Sequence, residues 1–207
     1  MNAHSFICLV SISMKKVEKV KVQNKREAIL KATLKMVINH GFHAAPMSMI
    51  SKQAGVSPGT IYLYFENKED LINTLYCELK AKFAEKIFNG FNSDMAISDG
   101  FRVIWNNVLA YKCNEPDEAL FIEQCDNTPM ISEESRQKGY LAIQPLYDLW
   151  ERGQSEKIIK PFSRIMLFSF SLLPILYLVK ENLKKEFCLT DTDVENAFNA
   201  SWDAISL

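Results

Sequence analysis

The feature that most constrains the fold is a short segment, AGVSPGTIYLYFENKEDL, in which helix boundary signals follow one another closely. Gly55 closes an apolar helical pattern, as glycines at helix C-termini do. Ser57 followed by Pro58 is typical of an N-cap and the first helical position, and Asn67 is typical of the cap of the next helix. The segment therefore predicts a very short helix, from Pro58 to near Phe65, between two other helices.

The short helix has one apolar side and one side without charge. A helix of so few residues is marginal alone, so neighbouring helices must hold it. Ile61 and Phe65, one turn apart, are placed to pack on those neighbours. The opposite arc carries Gly59, Thr60, Tyr62 and Leu63, with Tyr64 on its flank. Two helices joined by a turn that contains Gly are typical of a helix-turn-helix, whose second helix can meet base edges and phosphates with hydroxyl and methyl groups. The alternative is that both tyrosines only pack between helices.

Apolar residues recur at helical spacing from Asn24 onward, and no segment alternates as a strand does. Only 7 glycines and 7 prolines interrupt the pattern, which indicates long helices and few turns. We therefore predict an all-α protein of about nine helices. Their predicted ranges are residues 24–41, 47–54, 58–65, 67–89, 95–113, 116–126, 132–153, 163–181 and 190–205.

The charge is divided unevenly along the chain. Residues 1–88 contain 13 Lys and Arg against 7 Asp and Glu, a net charge of +6, and residues 89–207 contain 11 against 18, a net charge of −7, which together give −1. This asymmetry predicts an anionic partner for the first part, with nucleic acid as the leading candidate. The alternative is a chance imbalance to which a lysine-rich stretch at residues 15–26 contributes.

The cysteines and the N-terminus exclude several classes of protein. The five cysteines are scattered, with no CxxC pair, so we expect no disulfide framework and no metal site, and a reducing cytoplasm fits them. Residues 1–22 begin with an apolar stretch that has no basic residue before it and is too short to span a membrane. We expect these residues to form a flexible extension.

Two stretches, AILKATLKMVINHGF and MISKQAGVSPGTIYLYFENKEDL, resemble the DNA-binding domain of the tetracycline-repressor (TetR) family. The resemblance runs from Arg26 to Leu71. It implies a helix-turn-helix domain of three helices plus the start of a fourth at residues 23–71, a connecting fourth helix at 72–92, and a helical ligand-binding and dimerisation domain at 93–207.

The resemblance also assigns DNA contacts to individual residues. It implies phosphate and base contacts at Ser57, Pro58, Gly59, Thr60, Tyr62, Leu63, Tyr64 and Lys68. The chain departs from the family at four positions. Pro46 stands where Thr or Ser is usual, and Val37 where Phe is usual. Thr33 and Ser51 each stand where Ala is usual. These departures bear on affinity and operator sequence rather than on DNA binding itself.

In the C-terminal domain, aromatic and thioether side chains are numerous and few polar groups lie among them. With the family resemblance, they predict a cavity for an apolar or aromatic ligand; the alternative is an ordinary tight core. The predicted ligand residues are Trp105, Phe121, Gln124, Met130, Tyr140, Gln144, Tyr147, Phe168 and Tyr177. The apolar segment SRIMLFSFSLLPILYLVK and the last helix predict a dimer interface, which contains Met166, Phe170, Leu173, Val194, Phe198 and Trp202.

The function that these features predict is a ligand-responsive transcriptional regulator without a cofactor. We expect a repressor that binds a palindromic operator as a dimer and is released by a small effector. The alternative is a helical interaction module whose helix-turn-helix no longer binds DNA specifically. An enzyme is disfavoured, because the three histidines form no cluster with carboxylates or cysteines and no phosphate-binding loop or nucleophile elbow is present.

Overall fold

The computed structural model describes residues 24–126, 128–184 and 188–207. Within these ranges it contains eleven helices and one isolated antiparallel bridge, Ile159 to Ser206, with no strand. The helices are α1 (residues 24–40), α2 (Met47–Ala54), α3 (Pro58–Ile61), α4 (Lys68–Ile87), α5 (Ile97–Asn114), α6 (Pro116–Asp126), α7 (Glu133–Ala142), α8 (Gln144–Ser155), α9 (Arg164–Ser171), α10 (Leu173–Leu183) and α11 (Asp191–Ile205). The all-α prediction is confirmed, and the N-terminal extension predicted at residues 1–22 lies outside the described residues.

Two predicted helices are each divided into two by a proline. The range 132–153 divides into α7 and α8, with Pro145 in the first turn of α8, and the range 163–181 divides into α9 and α10, with Pro174 in the first turn of α10. Proline has no backbone N–H, and its ring clashes with the carbonyl one turn earlier, so it starts a helix more readily than it continues one.

The third helix is shorter than predicted. It ends at Ile61 rather than near Phe65, and the chain continues as a turn. In that turn the N–H of Leu63 donates to the carbonyl of Thr60 at 3.2 Å, and the N–H of Tyr64 donates to the carbonyl of Ile61 at 2.9 Å. These three-residue hydrogen bonds tighten the backbone beyond the α-helical pitch.

The predicted capping and turn residues in the first part of the chain are confirmed. Ser57 Oγ accepts a hydrogen bond from the N–H of Thr60 at 3.2 Å, and Asn67 Oδ1 accepts one from the N–H of Asp70 at 2.9 Å. Gly55 ends α2 with φ of +67°, a left-handed conformation that favours glycine. Pro46 precedes α2 without a side-chain cap, as expected from its lack of a hydroxyl.

The chain divides into two compact units, which meet in sequence between Leu75 and Tyr76. In the N-terminal unit, the apolar side chains with the least exposed surface come from the four helices and the turns between them, and they are Ile29, Val37, Ala45, Ile50, Ile61, Phe65, Leu71 and Ile72. Two departures from the family lie in this core with their hydroxyls bonded: Thr33 Oγ1 donates to the carbonyl of Ile29 at 2.8 Å, and Ser51 Oγ donates to the carbonyl of Ser48 at 2.9 Å.

The C-terminal unit is built around α5. This helix packs against α6, α8, α10 and α11, and its buried Phe101 and Trp105 both contact Phe198 of α11. Trp105 also donates its indole N–H to the carbonyl of Ser171 at 3.0 Å. The aromatic interior predicted for this part of the chain is therefore largely a packed core.

The predicted apolar segment is buried on one side only. The span Arg164–Leu183 is long and apolar enough to cross a membrane by length and composition, with mean hydropathy of 1.3. It is interrupted at Leu172, however, and Leu167, Ile175 and Val179 face the core of the unit. We interpret it as a pair of bundle helices with a second, uncovered apolar face.

Candidate nucleic-acid interface and ligand cavities

The helix-turn-helix is formed by α2, the turn at Gly55 and α3. Ile50 of α2 and Ile61 of α3 have no exposed surface, and the two helices pack against each other. The N–H of Val56 donates to the carbonyl of Ser51 at 3.0 Å and closes the turn. This packing fixes the position of α3, which is too short to be stable alone.

The side of α3 opposite this packing is exposed. Tyr62 is 55% exposed and Leu63 is 81% exposed, whereas Phe65, two residues further on, is buried. Ser57, Pro58 and Gly59 are also exposed, and Thr60 and Tyr64 are partly buried. The hydroxyl oxygens of Ser57 and Thr60 lie 2.8 Å apart. The structure thus brings the predicted DNA-contact residues of α3 and its flanking turns onto one surface of the N-terminal unit.

Lys68, the last of the predicted DNA contacts, begins α4. Its Nζ donates a hydrogen bond to the backbone carbonyl of Phe42, which follows α1. Burial lowers the pKa of the Lys68 ammonium from its ordinary value. An ammonium has three N–H donors, so one bond to a carbonyl leaves capacity for a phosphate. Sequence reasoning missed this contact, because nothing in the sequence relates Lys68 to a carbonyl 26 residues away.

The C-terminal unit contains two adjoining cavities. The first, called here the inner cavity, has a volume of about 100 Å³ and lies between α4, α5, α6, α8, α9 and α10. The second, called the outer groove, has a volume of about 810 Å³ and is lined by α5, α6 and α10 with Lys184 beyond it. Among the predicted ligand residues, Phe168 lines the inner cavity and Tyr177 lines the outer groove.

The other predicted ligand residues do not line either cavity. Trp105 and Phe121 are fully buried, whereas Tyr140 is 50% exposed. Gln144 donates to Asp148 at 2.7 Å, and the Tyr147 ring lies under the guanidinium of Arg164 at 4.7 Å. Met130 is partly buried, and so is Gln124, whose Oε1 is buried without a hydrogen-bond partner among the described residues.

Sequence reasoning missed most residues that line the cavities. These include Lys80, Phe83 and Ile87 of α4 and the apolar residues Val108, Ala119 and Leu176. They recur at helical spacing, so the available signal was the apolar side of α4 and α6. Aromatic content alone did not reveal it, because small and aliphatic side chains form much of the lining.

The residues predicted for the dimer interface fall into two groups. Met166, Phe170 and Leu173 are exposed, at 39%, 50% and 48%, on α9 and α10. With Ile165 and Tyr177, which are 74% and 67% exposed, they form what we call the α9–α10 apolar face. The remaining predicted residues are on α11: Val194 and Trp202 are partly buried, and Phe198 lies in the core.

Comparison with known proteins identifies the family. Residues 97–206 match the model of the tetracyclin repressor-like C-terminal domain, and residues 29–75 match that of bacterial regulatory proteins of the tetR family. The chain belongs to the TetR family. It is 24% identical over 180 residues to an uncharacterized HTH-type transcriptional regulator from Haemophilus influenzae, an alignment that covers 86% of this chain and 94% of the relative.

Solved structures agree with this assignment. A TetR family transcription regulator from Marinobacter aquaeolei superimposes with a TM-score of 0.85 and 28% identity, over 91% of this chain and 98% of the other. The transcriptional regulator FadR from Bacillus subtilis, solved in complex with stearoyl-CoA, superimposes with a TM-score of 0.62 and 21% identity, over 86% and 95% of the two chains. At that identity the second likeness concerns the fold alone.

Membership of the TetR family establishes the class of function. These proteins are transcriptional regulators that bind DNA through the helix-turn-helix, and they are not enzymes. The family resemblance inferred from α1 to α4 and the non-enzymatic function are therefore confirmed.

Proposed function

We propose that this TetR-family protein is a cytoplasmic repressor that binds a palindromic operator as a dimer and is released by a small, largely apolar effector. The observation that carries the DNA-binding part of the proposal is the exposure of Leu63 and Tyr62, 81% and 55%, in the turn that follows α3, next to the fully buried Ile61. Exposing large apolar side chains on a rigidly held segment is most easily explained if a partner covers them.

The chemistry of the α3 surface suits a DNA groove. The hydroxyls of Ser57, Thr60 and Tyr62 can exchange hydrogen bonds with base edges or phosphates, and Leu63 can contact thymine methyl groups. A Cβ at Gly59 would meet nothing within 4 Å in the protein, so the small residue there is not required by packing. Gly59 would instead allow a phosphate to approach the backbone. Lys68 would supply a charge-assisted contact to a second phosphate.

The α9–α10 apolar face supports the dimer. Its five side chains are exposed on neighbouring helices, and exposed apolar surface of this kind commonly marks a protein interface. Leu173 and Tyr177 also line the outer groove, so the dimer would lie along one edge of that groove. A two-fold dimer would present two copies of α3 to two half-sites, which is why the operator is expected to be palindromic. Phe198, which is 2% exposed, would support this interface from within the unit rather than contact the partner directly.

Release by an effector needs a cavity and a connection to the DNA-reading helices. The inner cavity and the outer groove supply the cavity, and the FadR structure with stearoyl-CoA indicates that this fold can hold a ligand with a long apolar part. The connection would be α4, because this one helix contains both Lys68 and the cavity residues Lys80, Phe83 and Ile87. An effector that prefers one arrangement of α4 would shift the population away from the DNA-binding state.

A mobility shift with the DNA that flanks the protein's own coding sequence tests the proposal. We expect a specific shift at modest salt that weakens steeply as salt is added, because phosphate contacts release counterions. The double variant Thr60→Ala, Tyr62→Ala should lose specific binding more than non-specific binding, whereas Lys68→Ala should lose both. Lys86→Ala, which removes an exposed lysine from the same helix, is the matched control.

The result also separates the two functional hypotheses. If the protein binds this DNA and a panel of random DNA sequences equally weakly, the result supports the interaction-module hypothesis and the operator-binding proposal fails. Equal losses in the Thr60, Tyr62 double variant and in Lys68→Ala would contradict the division into base and phosphate contacts.

A further inference from the structure

The inner cavity and the outer groove adjoin, because five residues line both of them: Lys112, Ala119, Glu123, Leu173 and Leu176. A ligand in the groove therefore lies next to the cavity, and a small displacement of these shared side chains would let it extend into the cavity. We infer that the cavity and the groove together bind an elongated anionic amphiphile, with its apolar end in the inner cavity and its anionic end in the outer groove. The inference rests on the proposed function only in giving this ligand the role of effector.

The volumes determine the shape of the ligand. Small-molecule sites in proteins usually enclose about 300–1,000 Å³, and the outer groove lies in that range at about 810 Å³. The inner cavity, at about 100 Å³, accepts only the end of such a molecule. A compact ligand would leave one of the two spaces empty, whereas an elongated ligand fills both.

The lining of the inner cavity favours an apolar end. Phe83, Val108, Leu146 and Phe168 are among eleven apolar side chains that surround it, from six different helices and their junctions. The charged residues at this cavity are Lys80, Lys112 and Glu123, and Lys80 is only 8% exposed, with its ammonium 5.8 Å from the ring centre of Tyr76. An alkyl chain would be favoured here, because its methylenes would leave water for an apolar lining.

The charges along the outer groove favour an anionic end. Three lysines, at positions 112, 180 and 184, line it against two carboxylates, Asp117 and Glu123. The ammonium of Lys184 is paired with Glu181 at 2.7 Å. Among the described residues, the ammonium of Lys180 has no hydrogen bond or ion pair, so it is the group that a ligand carboxylate would pair with at least competition.

Calorimetric titration of the intact protein with three probes that share one chain length tests the inference. The probes are dodecanoate, dodecanol and dodecyltrimethylammonium, the two ions kept below their micelle concentrations and the alcohol below its solubility limit. We expect dodecanoate to bind about threefold to fivefold more tightly than dodecanol, as for a partly exposed ion pair, and the cation to bind most weakly. Equal affinity of the acid and the alcohol would overturn the anionic part of the inference.

Two variants locate the ends of the ligand. Lys180→Gln should weaken dodecanoate binding about threefold and leave dodecanol binding unchanged, since it removes only an exposed ion pair. Lys86→Gln, an exposed lysine outside both cavities, is the matched control and should change neither. Ala119→Leu adds bulk to the lining that both cavities share and should weaken the binding of both probes. Its circular dichroism and melting curve show whether the variant is folded. Unchanged binding in folded Ala119→Leu would contradict the placement of the chain.

A second measurement keeps this inference distinct from the proposed function. The mobility shift is repeated with and without dodecanoate. Failure to bind DNA without dodecanoate would refute the DNA-binding proposal and would leave the calorimetric result on ligand binding unaffected. A DNA complex that persists while dodecanoate is bound would exclude its role as effector, whereas loss of the complex, reduced in Lys180→Gln, supports that role.

Discussion

Lys82 of α4 and Glu118 of α6 form a hydrogen-bonded ion pair, with 2.7 Å between Nζ and Oε1. Lys82 also contacts Glu115 at 3.1 Å, and the Tyr111 hydroxyl donates to the other carboxylate oxygen of Glu118 at 3.0 Å. The same α6 lines both the inner cavity and the outer groove. This cluster therefore joins α6, which borders both cavities, to α4.

Removing the Lys82 ammonium should destabilise the C-terminal unit. The side chain of Glu118 is only 17% exposed, so Lys82→Met would leave a largely buried carboxylate with one fewer donor. We expect a loss of about 1 kcal/mol, since Lys82 itself is 36% exposed and solvent screens part of the interaction. Differential scanning calorimetry measures this as a Tm lower by about 2–4 °C.

The matched control is Lys138→Met. Its partner Glu134 is one turn away on α7, and both side chains are mostly exposed, at 60% and 79%. Such pairs contribute little, so the Tm should stay within about 1 °C of the wild type. Equal losses in the two variants would mean that the Lys82 cluster is an ordinary surface pair.

The stability that the Lys82 cluster contributes should disappear at high pH. Burial disfavours the charged ammonium, but hydrogen bonds and charges from Glu118 and Glu115 outweigh it and raise the pKa of Lys82 above its ordinary 10.5. A group whose pKa is raised on folding stabilises the protein below its unfolded pKa, and this stabilisation is lost as the pH rises through the folded pKa. The Tm difference between the wild type and Lys82→Met should thus be constant from about pH 7 to 10 and shrink above that range.

Tyr111 adds a second high-pH effect. Burial first, and then the charge of Glu118, raise the pKa of its phenol above the ordinary 10.0, so the folded state favours the neutral hydroxyl. The unfolded chain loses this proton at lower pH, and the folded state loses stability in the same direction as for Lys82. Tyr111→Phe should flatten the fall in Tm above about pH 10; a fall as steep as that of the wild type would show that other groups cause it.

Gly59 separates a role in DNA binding from a role in folding. A Cβ at this position would meet nothing within 4 Å. Gly59→Ala should therefore leave the unfolding free energy unchanged or raise it by up to about 1 kcal/mol. If a phosphate approaches this backbone, the added methyl group should weaken operator binding in the mobility shift. Unchanged operator affinity would remove Gly59 from the interface.

Gly153 is the contrasting case, because it lies in the packed core rather than beside open space. A Cβ there would lie 2.6 Å from Ile159 Cδ1 and 3.0 Å from Ile97 Cγ2, within the packed core. We expect Gly153→Ala to lower the unfolding free energy by about 1–3 kcal/mol through overpacking. Together the two variants distinguish a glycine that is needed for DNA binding from a glycine that is needed for packing of the core.

The sequence predicted best what is determined locally. Capping by Ser57 and Asn67 and the turn at Gly55 depend on neighbouring residues in the chain, so their residue types were sufficient. The division of two long helices was missed, although Pro145 and Pro174 carried the signal, because helical periodicity continues across both prolines. The bond from Lys68 to Phe42 and the position of two adjoining cavities among six helices depend on packing between distant segments, which a single sequence does not specify.

The α9–α10 apolar face provides the most direct test of the dimer. Phe170 is 50% exposed and its ring contacts Phe162 with 6.3 Å between ring centres. Phe170→Glu should place a charge in the interface of the dimer and shift the protein towards monomer in sedimentation velocity, because burying an unpaired carboxylate is costly. The control is Leu141→Glu, since Leu141 is 67% exposed but lies on α7.

We expect operator affinity to fall with the dimer in Phe170→Glu, because a monomer presents one copy of α3 to one half-site. A wild-type protein that sediments as a monomer would contradict the dimer, and a Phe170→Glu variant that remains dimeric would place the interface elsewhere.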